Sequence, residues 1–354
     1  QSNSSVIIDH KIMLKLFRLV APGQHPEAEM TRTLTARGFR NAPALLGEIV
    51  HVPDQGEEEV LGVVQAFIPG EGDAWEWTLA YLGRVLDEMT HEEVDLDDLL
   101  AIYENFVTTL GQRLADMHGI LAQPSDDEAF APAIADARQL ERWAARIAGR
   151  VTAALDALGR QGESLSEADR SLADGLLARR KPLLKAVGEL AKSGKGSLLH
   201  RVHGDFHLGQ TLVASGDIML IDFEGEPAQP LAERRAKDSG WRDVAGILRS
   251  LDYALAAARN LSGAALQDGR YERLAAAFRA RMPAALLAAY RQSLAAAGRG
   301  EAAQSADERL LALFMIEKAA YEVTYEVGNR PDWLSVPLRG LAELAARLLD
   351  EDDR

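Results

Sequence analysis

Apolar and polar positions alternate with two different periods along this chain, and the change of period divides it. Over the first 68 residues, short apolar runs of strand length are separated by polar turns. Val6–Ile8, then Asp9-His10, then Lys11–Phe17 predict a hairpin with a polar turn. Pro26 followed by Glu27–Arg37 predicts a helix with proline in its first turn. Pro43–His51 and Leu61–Phe67 predict two more strands, split by the acidic loop Asp54–Glu59. This small sheet-plus-helix unit ends near Ile68-Pro69-Gly70.

From Asp73 onward the spacing becomes helical and the chain rich in Ala and Leu. Helices are predicted over Trp75–Leu86, Leu96–His118, Ala133–Leu158, Ser166–Lys192, Trp241–Asn260, Tyr271–Ala297, Ala306–Val327 and Leu338–Leu349. Gly119 is the expected stop of the second helix and Pro337 the expected start of the last. Ala122 to Gly196 reads as a helical hairpin turning near Gly162. One non-helical island, Leu198–Phe223, interrupts the helices. Within it Thr211–Ala214 and Ile218–Ile221 flank Ser215-Gly216-Asp217 and predict a second tight hairpin. The pattern therefore predicts an α+β chain of two parts, a sheet-bearing segment 1–68 and a mainly helical segment 69–354.

Composition narrows the chemistry. Among 354 residues there is no cysteine, which excludes a disulfide scaffold, a thiol nucleophile and a cysteine-ligated zinc site. Thirty-nine Lys+Arg against 54 Asp+Glu give a net charge of −15 and argue against a general nucleic-acid binder. A small phosphate ligand stays possible, because local charge governs a pocket. No apolar run reaches the roughly 18–20 residues of a membrane span, and no signal peptide is visible. The expected setting is cytoplasmic, with no membrane partner. A start at Gln1 without Met predicts that the chain begins inside a longer gene product or has been trimmed.

The island carries the chemistry. It reads Val202-His203-Gly204-Asp205-Phe206-His207-Leu208-Gly209-Gln210, and Ile221-Asp222-Phe223-Glu224 follows. Phosphoryl transfer from ATP needs a carboxylate at the acceptor hydroxyl, which Asp205 suits. It also needs oxygen ligands for Mg²⁺, which the Gln210 amide and the Asp222 carboxylate can supply. His203 and His207 read as structural loop residues. Lys15 shares a strand face with Met13 and Phe17, where a lysine calls for an anion. The expected anions are ATP phosphate and Glu29 of the following helix. Glu27, at the very start, is explained by the helix dipole alone. Gln65 and Phe67 lie on the connector that can pair its backbone with adenine. Arg234-Arg235-Ala236-Lys237 reads as surface charge, with a loop clamp as the alternative.

These residues resemble the aminoglycoside-phosphotransferase-like branch of the protein-kinase-like fold. Ser2-Asn3-Ser4-Ser5, Leu14–Arg18, Ile221–Pro227, Arg242–Tyr253 and Tyr321–Glu326 are similar to bacterial maltokinases. The resemblance implies a bilobal protein-kinase-like fold with a small antiparallel-sheet N-lobe and a large helical C-lobe. It implies ATP-dependent phosphorylation of maltose to maltose 1-phosphate, feeding α-glucan synthesis from trehalose, with a trehalose synthase domain as possible partner. It implies that Asp205 is the catalytic base, that Gln210 and Asp222 bind Mg²⁺, and that Lys15, braced by Glu29, binds ATP phosphate. Maltokinases carry a cap segment ahead of the Ser-Asn-Ser strand, and its absence predicts an N-terminally truncated chain. Tyr253, Tyr321, Tyr325, Arg330 and Trp333 are the candidate acceptor residues, offering ring faces and hydrogen bonds to a pyranose. Glu317, Glu322 and Glu326 keep a glucosamine or aminoglycoside acceptor open, and a non-catalytic regulatory domain is the reading from another class.

Overall fold

In the computed structural model, which describes residues 3–70, 72–91, 95–261, 263–296 and 304–352, the first hairpin forms as its sequence predicts. Asn3–Ile8 (β1) pairs antiparallel with Ile12–Phe17 (β2). Asp9 and His10 both have φ of 51°, the left-handed pair that a two-residue turn of matching twist requires. Helix α1 runs Pro26–Ala36, and strands Leu45–His51 (β3) and Glu59–Ala66 (β4) complete an antiparallel sheet of order β1-β2-β4-β3. Phe17, Ala28, Val60 and Val63 form the apolar seal between this sheet and α1, with Leu45 packed against them. Ser2 of the N-terminal motif and Ala297, the expected end of one helix, lie outside the described residues.

The helical part contains Ala74–Glu88 (α2), Leu96–Leu121 (α3), Ala137–Gln161 (α4), Glu167–Ala178 (α5) and Arg180–Lys192 (α6). Leu231–Arg234 (α7), Trp241–Leu261 (α8), Arg270–Ala296 (α9), Gln304–Asn329 (α10) and Ser335–Asp352 (α11) follow. Several ends differ from expectation, each for a local reason. Gly119 does not stop α3; the Ala122 N–H still finds the His118 carbonyl, and one glycine costs a helix only about 1 kcal/mol. Ala133–Ile134 (β5) pairs with Leu198–Leu199 (β6), and α4 starts only where Asp136 caps the Gln139 N–H at 2.8 Å. The helix expected over Ser166–Lys192 breaks at Arg179, where ψ is 12° and Pro182 follows in the next first turn. Pro337 is the third residue of α11 rather than its start, a position where proline forfeits no helical hydrogen bond.

Thr211–Ala214 (β7) and Asp217–Leu220 (β8) form the second hairpin around Ser215 (φ 52°) and Gly216 (φ 76°). The chain divides into two compact units. The first comprises Gln1–Pro132, His200–Asp238 and Ala254–Gly300; the second comprises Ala133–Leu199, Ser239–Tyr253 and Glu301–Arg354. The first unit takes in both hairpins, and its helical core is built on α3 and α9. There Gly111 sits where an added Cβ would lie 2.5 Å from the Leu286 carbonyl oxygen, so the two helices meet backbone to backbone. The second unit buries Trp143 of α4 edge-on against Phe314 of α10, ring centroids 5.6 Å apart.

The sheet has a comparable point of close approach. A Cβ on Gly62 would stand 2.5 Å from the Lys15 carbonyl oxygen and 3.1 Å from Leu16 Cδ2. Gly62→Ala is therefore expected to cost about 1–3 kcal/mol through forced strand displacement. A urea melt reads this as a lower midpoint at unchanged slope; an unchanged midpoint would show that the strands can part freely there.

Candidate active site

Strand β2 carries Lys15 on the sheet face that meets α1, opposite Val63 of β4. The side chain is buried, yet its ammonium is fully charge-compensated. It is bonded to Asp222 Oδ1 and lies 3.7 Å from Glu27 Oε1. Burial works against the charged form, but Glu27 and Asp222 outweigh it and raise the Lys15 pKa above its ordinary value. The expected brace, Glu29, is a correction: the carboxylate beside Lys15 is that of Glu27. The two acids are two residues apart on α1, about 200° around its axis, so they face opposite ways. Gln65 holds Glu27 in place by donating from Nε2 to Glu27 Oε1 at 2.9 Å. Glu27 is itself fully buried, and desolvation pushes its pKa up against the pull of Lys15.

Glu29 instead receives two arginines. Arg235 donates from Nε and Nη2 to its two oxygens, each at 2.9 Å, and Arg201 Nη1 lies 2.5 Å from Oε1. Arg235 is thus a clamp on α1 and not a surface charge. Its neighbours act alike: Arg234 donates to the Glu224 carbonyl at 3.2 Å, and Lys237 donates to the carbonyls of Glu128 and Ala131.

The island folds around hairpin β7–β8. The Ile221 N–H donates to the Gln210 carbonyl at 3.0 Å, which brings Gln210 and Asp222 side by side as the hairpin closes. Gln210 Nε2 then donates to Asp222 Oδ2 at 3.0 Å. Asp222 stands in the left-handed region, φ 67°, a conformation that costs a non-glycine residue about 1–3 kcal/mol. Burial would raise its pKa, but Lys15 and then Gln210 hold the carboxyl below its usual range. His203 donates from Nε2 to the Ile221 carbonyl at 2.9 Å, and the ring packs against Phe206 and Phe223. Gly204, φ 84°, lies against the Cα of Gly225. Asp205, half-buried, is therefore carried by a loop strapped on both sides to the Asp222 segment. His207 accepts from the Gly209 N–H at 3.1 Å and shapes the turn to Gln210. Both histidines thus serve the loop's shape.

The connector is less open than expected. Gln65 spends its amide on Glu27, the Ala66 N–H donates to the Ala44 carbonyl, and the Phe67 N–H donates to the Lys11 carbonyl. A base edge cannot use those two N–H groups. The Phe67 ring meets His10 edge-on at 5.9 Å.

The five aromatic and basic acceptor candidates all lie in the second unit. Three gather around Glu326, which is buried. Tyr253 donates to its Oε1 at 3.0 Å, Arg330 donates to both oxygens at 3.0 and 2.7 Å, and Trp333 stacks on Tyr253 with centroids 6.2 Å apart. Glu322 receives Arg249 at 2.8 Å, and Asp252 receives the same arginine at 2.7 Å. Burial, reinforced by Glu322 and Glu326, raises the Tyr253 pKa and keeps its hydroxyl a donor. Tyr325 is exposed beside Arg330, whereas Tyr321 has the Arg150 guanidinium and the Lys318 ammonium against its ring. The sequence reading left Asp252 out of this cluster; its place one residue before Tyr253 was the available signal.

Comparison with known proteins bears on this geometry. The model of the phosphotransferase enzyme family (APH) matches residues 1–225. A glucosamine kinase of Streptacidiphilus jiangxiensis is 29% identical over 358 aligned residues, covering 99% of this chain and 73% of the relative. One of Mycolicibacterium smegmatis is 28% identical over 348, covering 97% and 77%. A solved glucosamine kinase in complex with glucosamine, ADP and inorganic phosphate superposes with a TM-score of 0.75 at 26% identity, covering 96% of this chain and 74% of the other. These relatives are glucosamine kinases, where the motif resemblance had pointed to maltokinases. This chain has a kinase-like fold with a small antiparallel-sheet N-lobe and a mostly helical C-lobe. The family match takes in Lys15, Asp205 and Asp222 together and runs over more than half of the sequence, so this chain belongs to the phosphotransferase enzyme family.

Proposed function

We propose that this chain is an ATP- and Mg²⁺-dependent kinase whose acceptor is a hydroxyl of glucosamine. The observation that carries the reading is the convergence of Lys15 and Gln210 on one carboxylate, Asp222, beside the strapped loop of Asp205. Segment 1–68 is the nucleotide lobe in this reading, with Lys15 as the phosphate cation and Glu27, steadied by Gln65, as its brace. Asp205 would orient the acceptor hydroxyl and take its proton as that oxygen bonds the γ-phosphorus of ATP and the bond from this phosphorus to the β–γ bridging oxygen breaks, releasing ADP. Asp222 and Gln210 are the residues that would hold a magnesium ion: both carry hard oxygens, the Gln210 amide is held beside the carboxylate by its Nε2 bond of 3.0 Å, and the Asp222 side chain is a quarter exposed. Among the described residues no three His, Asp or Glu side chains group into a metal cage. Two protein oxygens suffice where phosphates and water complete the shell. When bound, Mg²⁺ supplies charge neutralisation at the transferring phosphates.

For the acceptor we assign the carboxylate cluster of the second unit. Asp252, more exposed than Glu322 and Glu326 and paired on one side with Arg249, leaves a carboxylate edge that suits an ammonium group. Tyr253 and Trp333 offer stacked rings for the pyranose, Tyr253 a hydroxyl donor, and Arg330 a guanidinium. Tyr325 is a rim residue in this scheme, and Tyr321 is given no sugar contact because cations flank its ring. The names of the relatives support glucosamine over maltose. Maltose, a trehalose-synthase partner and a place in trehalose-derived glucan synthesis receive no such support. No helix among the described residues is long and apolar enough to cross a membrane.

Three outcomes are expected. ADP release should be fast with glucosamine and near background with maltose, and Asp205→Asn should lower kcat about 10²–10⁴-fold with ATP affinity little changed. Faster turnover with maltose would overturn the acceptor, and near-normal turnover in the variant would overturn the base. Asp252→Asn should raise the KM for glucosamine about tenfold, the size of one hydrogen bond to a charge, while the KM for glucose moves less than twofold. Equal shifts for both sugars would remove Asp252 from amine recognition.

A further inference from the structure

We infer that Glu29 is a positioning residue for phosphoryl transfer, one carboxylate that fixes both the rotation of α1 and the root of the Asp205 loop. The inference rests on the kinase reading above and adds three residues to it: Glu29, Arg201 and Arg235. Glu29 is 3% exposed and Arg201 1% exposed, so no water substitutes for either partner. Arg201 Nη1 meets Glu29 Oε1 at 2.5 Å, and its guanidinium lies 5.0 Å from the Phe130 ring centroid. No other protein acceptor engages Arg201 Nε or Nη2 among the described residues. Glu29 is therefore the main charge partner of the buried guanidinium, with Asp127 adding a smaller attraction. Arg235 closes the carboxylate from the other side with two bonds of 2.9 Å.

The three residues belong to three different pieces of the machinery. Glu29 is on α1, two residues after Glu27, the acid beside Lys15. Arg201 is four residues before Asp205. Arg235 lies in the segment that follows Asp222. The backbone ties the last two together as well: His200 and Asp238 exchange N–H to carbonyl bonds at 3.2 and 2.9 Å. Because Glu27 and Glu29 face opposite sides of α1, anchoring Glu29 sets the angle at which Glu27 meets Lys15. The same anchor sets where the catalytic loop begins. A merely stabilising ion pair would sit anywhere on the surface; this one is buried at the joint of the pieces that carry phosphate, base and metal ligand.

The test compares Glu29→Gln, which keeps the shape and removes the charge, with Arg235→Ala, which removes the more exposed partner. Folding is checked by circular dichroism, turnover by ADP release, and the loop by hydrogen–deuterium exchange over 201–210. Glu29→Gln should lower kcat at least tenfold, with KM for ATP and glucosamine within twofold and exchange over 201–210 accelerated. Arg235→Ala should do the same severalfold, and Arg235→Lys should recover most of the loss. A folded Glu29→Gln with kcat within twofold of wild type, or a lower kcat with unchanged exchange, would overturn the inference. Should Glu29→Gln fail to fold, Arg235→Ala decides by the same two readouts. If the wild type releases no ADP with glucosamine, the acceptor reading has failed, and exchange over 201–210 still decides on Glu29.

Discussion

A desolvated ammonium organises this site. Lys15 is 7% exposed, and a buried lysine stripped of one partner is destabilised by about 3–5 kcal/mol. Here two carboxylates meet it from different parts of the chain, Glu27 from the helix after the first hairpin and Asp222 from the end of the second. The need to neutralise Lys15 therefore joins β2, α1 and the β7–β8 hairpin. Two carboxylates against one ammonium leave the pairing with an excess of formal negative charge. In the kinase reading, Lys15 would hold the donor phosphates and Asp222 the metal, which would supply charge neutralisation. Glu27 aims the lysine, and Gln65 holds Glu27 from behind.

A second constraint is conformational. Asp222 occupies the left-handed backbone region, which costs a non-glycine residue free energy even though Asp enters it more readily than most, and its surroundings hold it there. The Gln210–Ile221 bond, the His203–Ile221 bond and the Lys15 and Gln210 contacts to its carboxylate provide that determination. The histidines flanking Asp205 thus serve geometry, and the chemistry is left to carboxylates and a lysine. In the second unit the same logic recurs without strain: buried Glu326 fixes Tyr253 and Arg330, and Arg249 fixes Glu322 and Asp252.

Much of this was legible from residue types. Both hairpins were readable because their turn residues, Asp9-His10 and Ser215-Gly216, tolerate the left-handed backbone that a tight turn demands. Lys15, Gln210 and Asp222 were readable because a lysine in an apolar strand and an amide beside a carboxylate have few inexpensive explanations. Glu27 was missed in favour of Glu29 because the helix dipole already explains an acid in a first turn. Only the docking of α1 reveals which face of the helix meets β2. Arg235 was read as surface charge because burial of a loop arginine is decided by tertiary contacts that no local pattern records. The maltose expectation rested on short motifs, whereas relatives that match along nearly the whole chain are glucosamine kinases. The acids beside the tyrosines of α10 were the signal that favoured an amine, and they carried less weight than the motif match.

In the kinase reading Asp222 is the carboxylate that would hold magnesium beside the donor phosphates, and calorimetry of a non-hydrolysable ATP analogue tests that role most directly. Titrated with and without Mg²⁺, the wild type should bind at least tenfold tighter with the metal, and Asp222→Asn should lose that gain while retaining metal-free binding. An Asp222→Asn protein whose affinity still rises tenfold with Mg²⁺ would place the metal elsewhere and contradict the account.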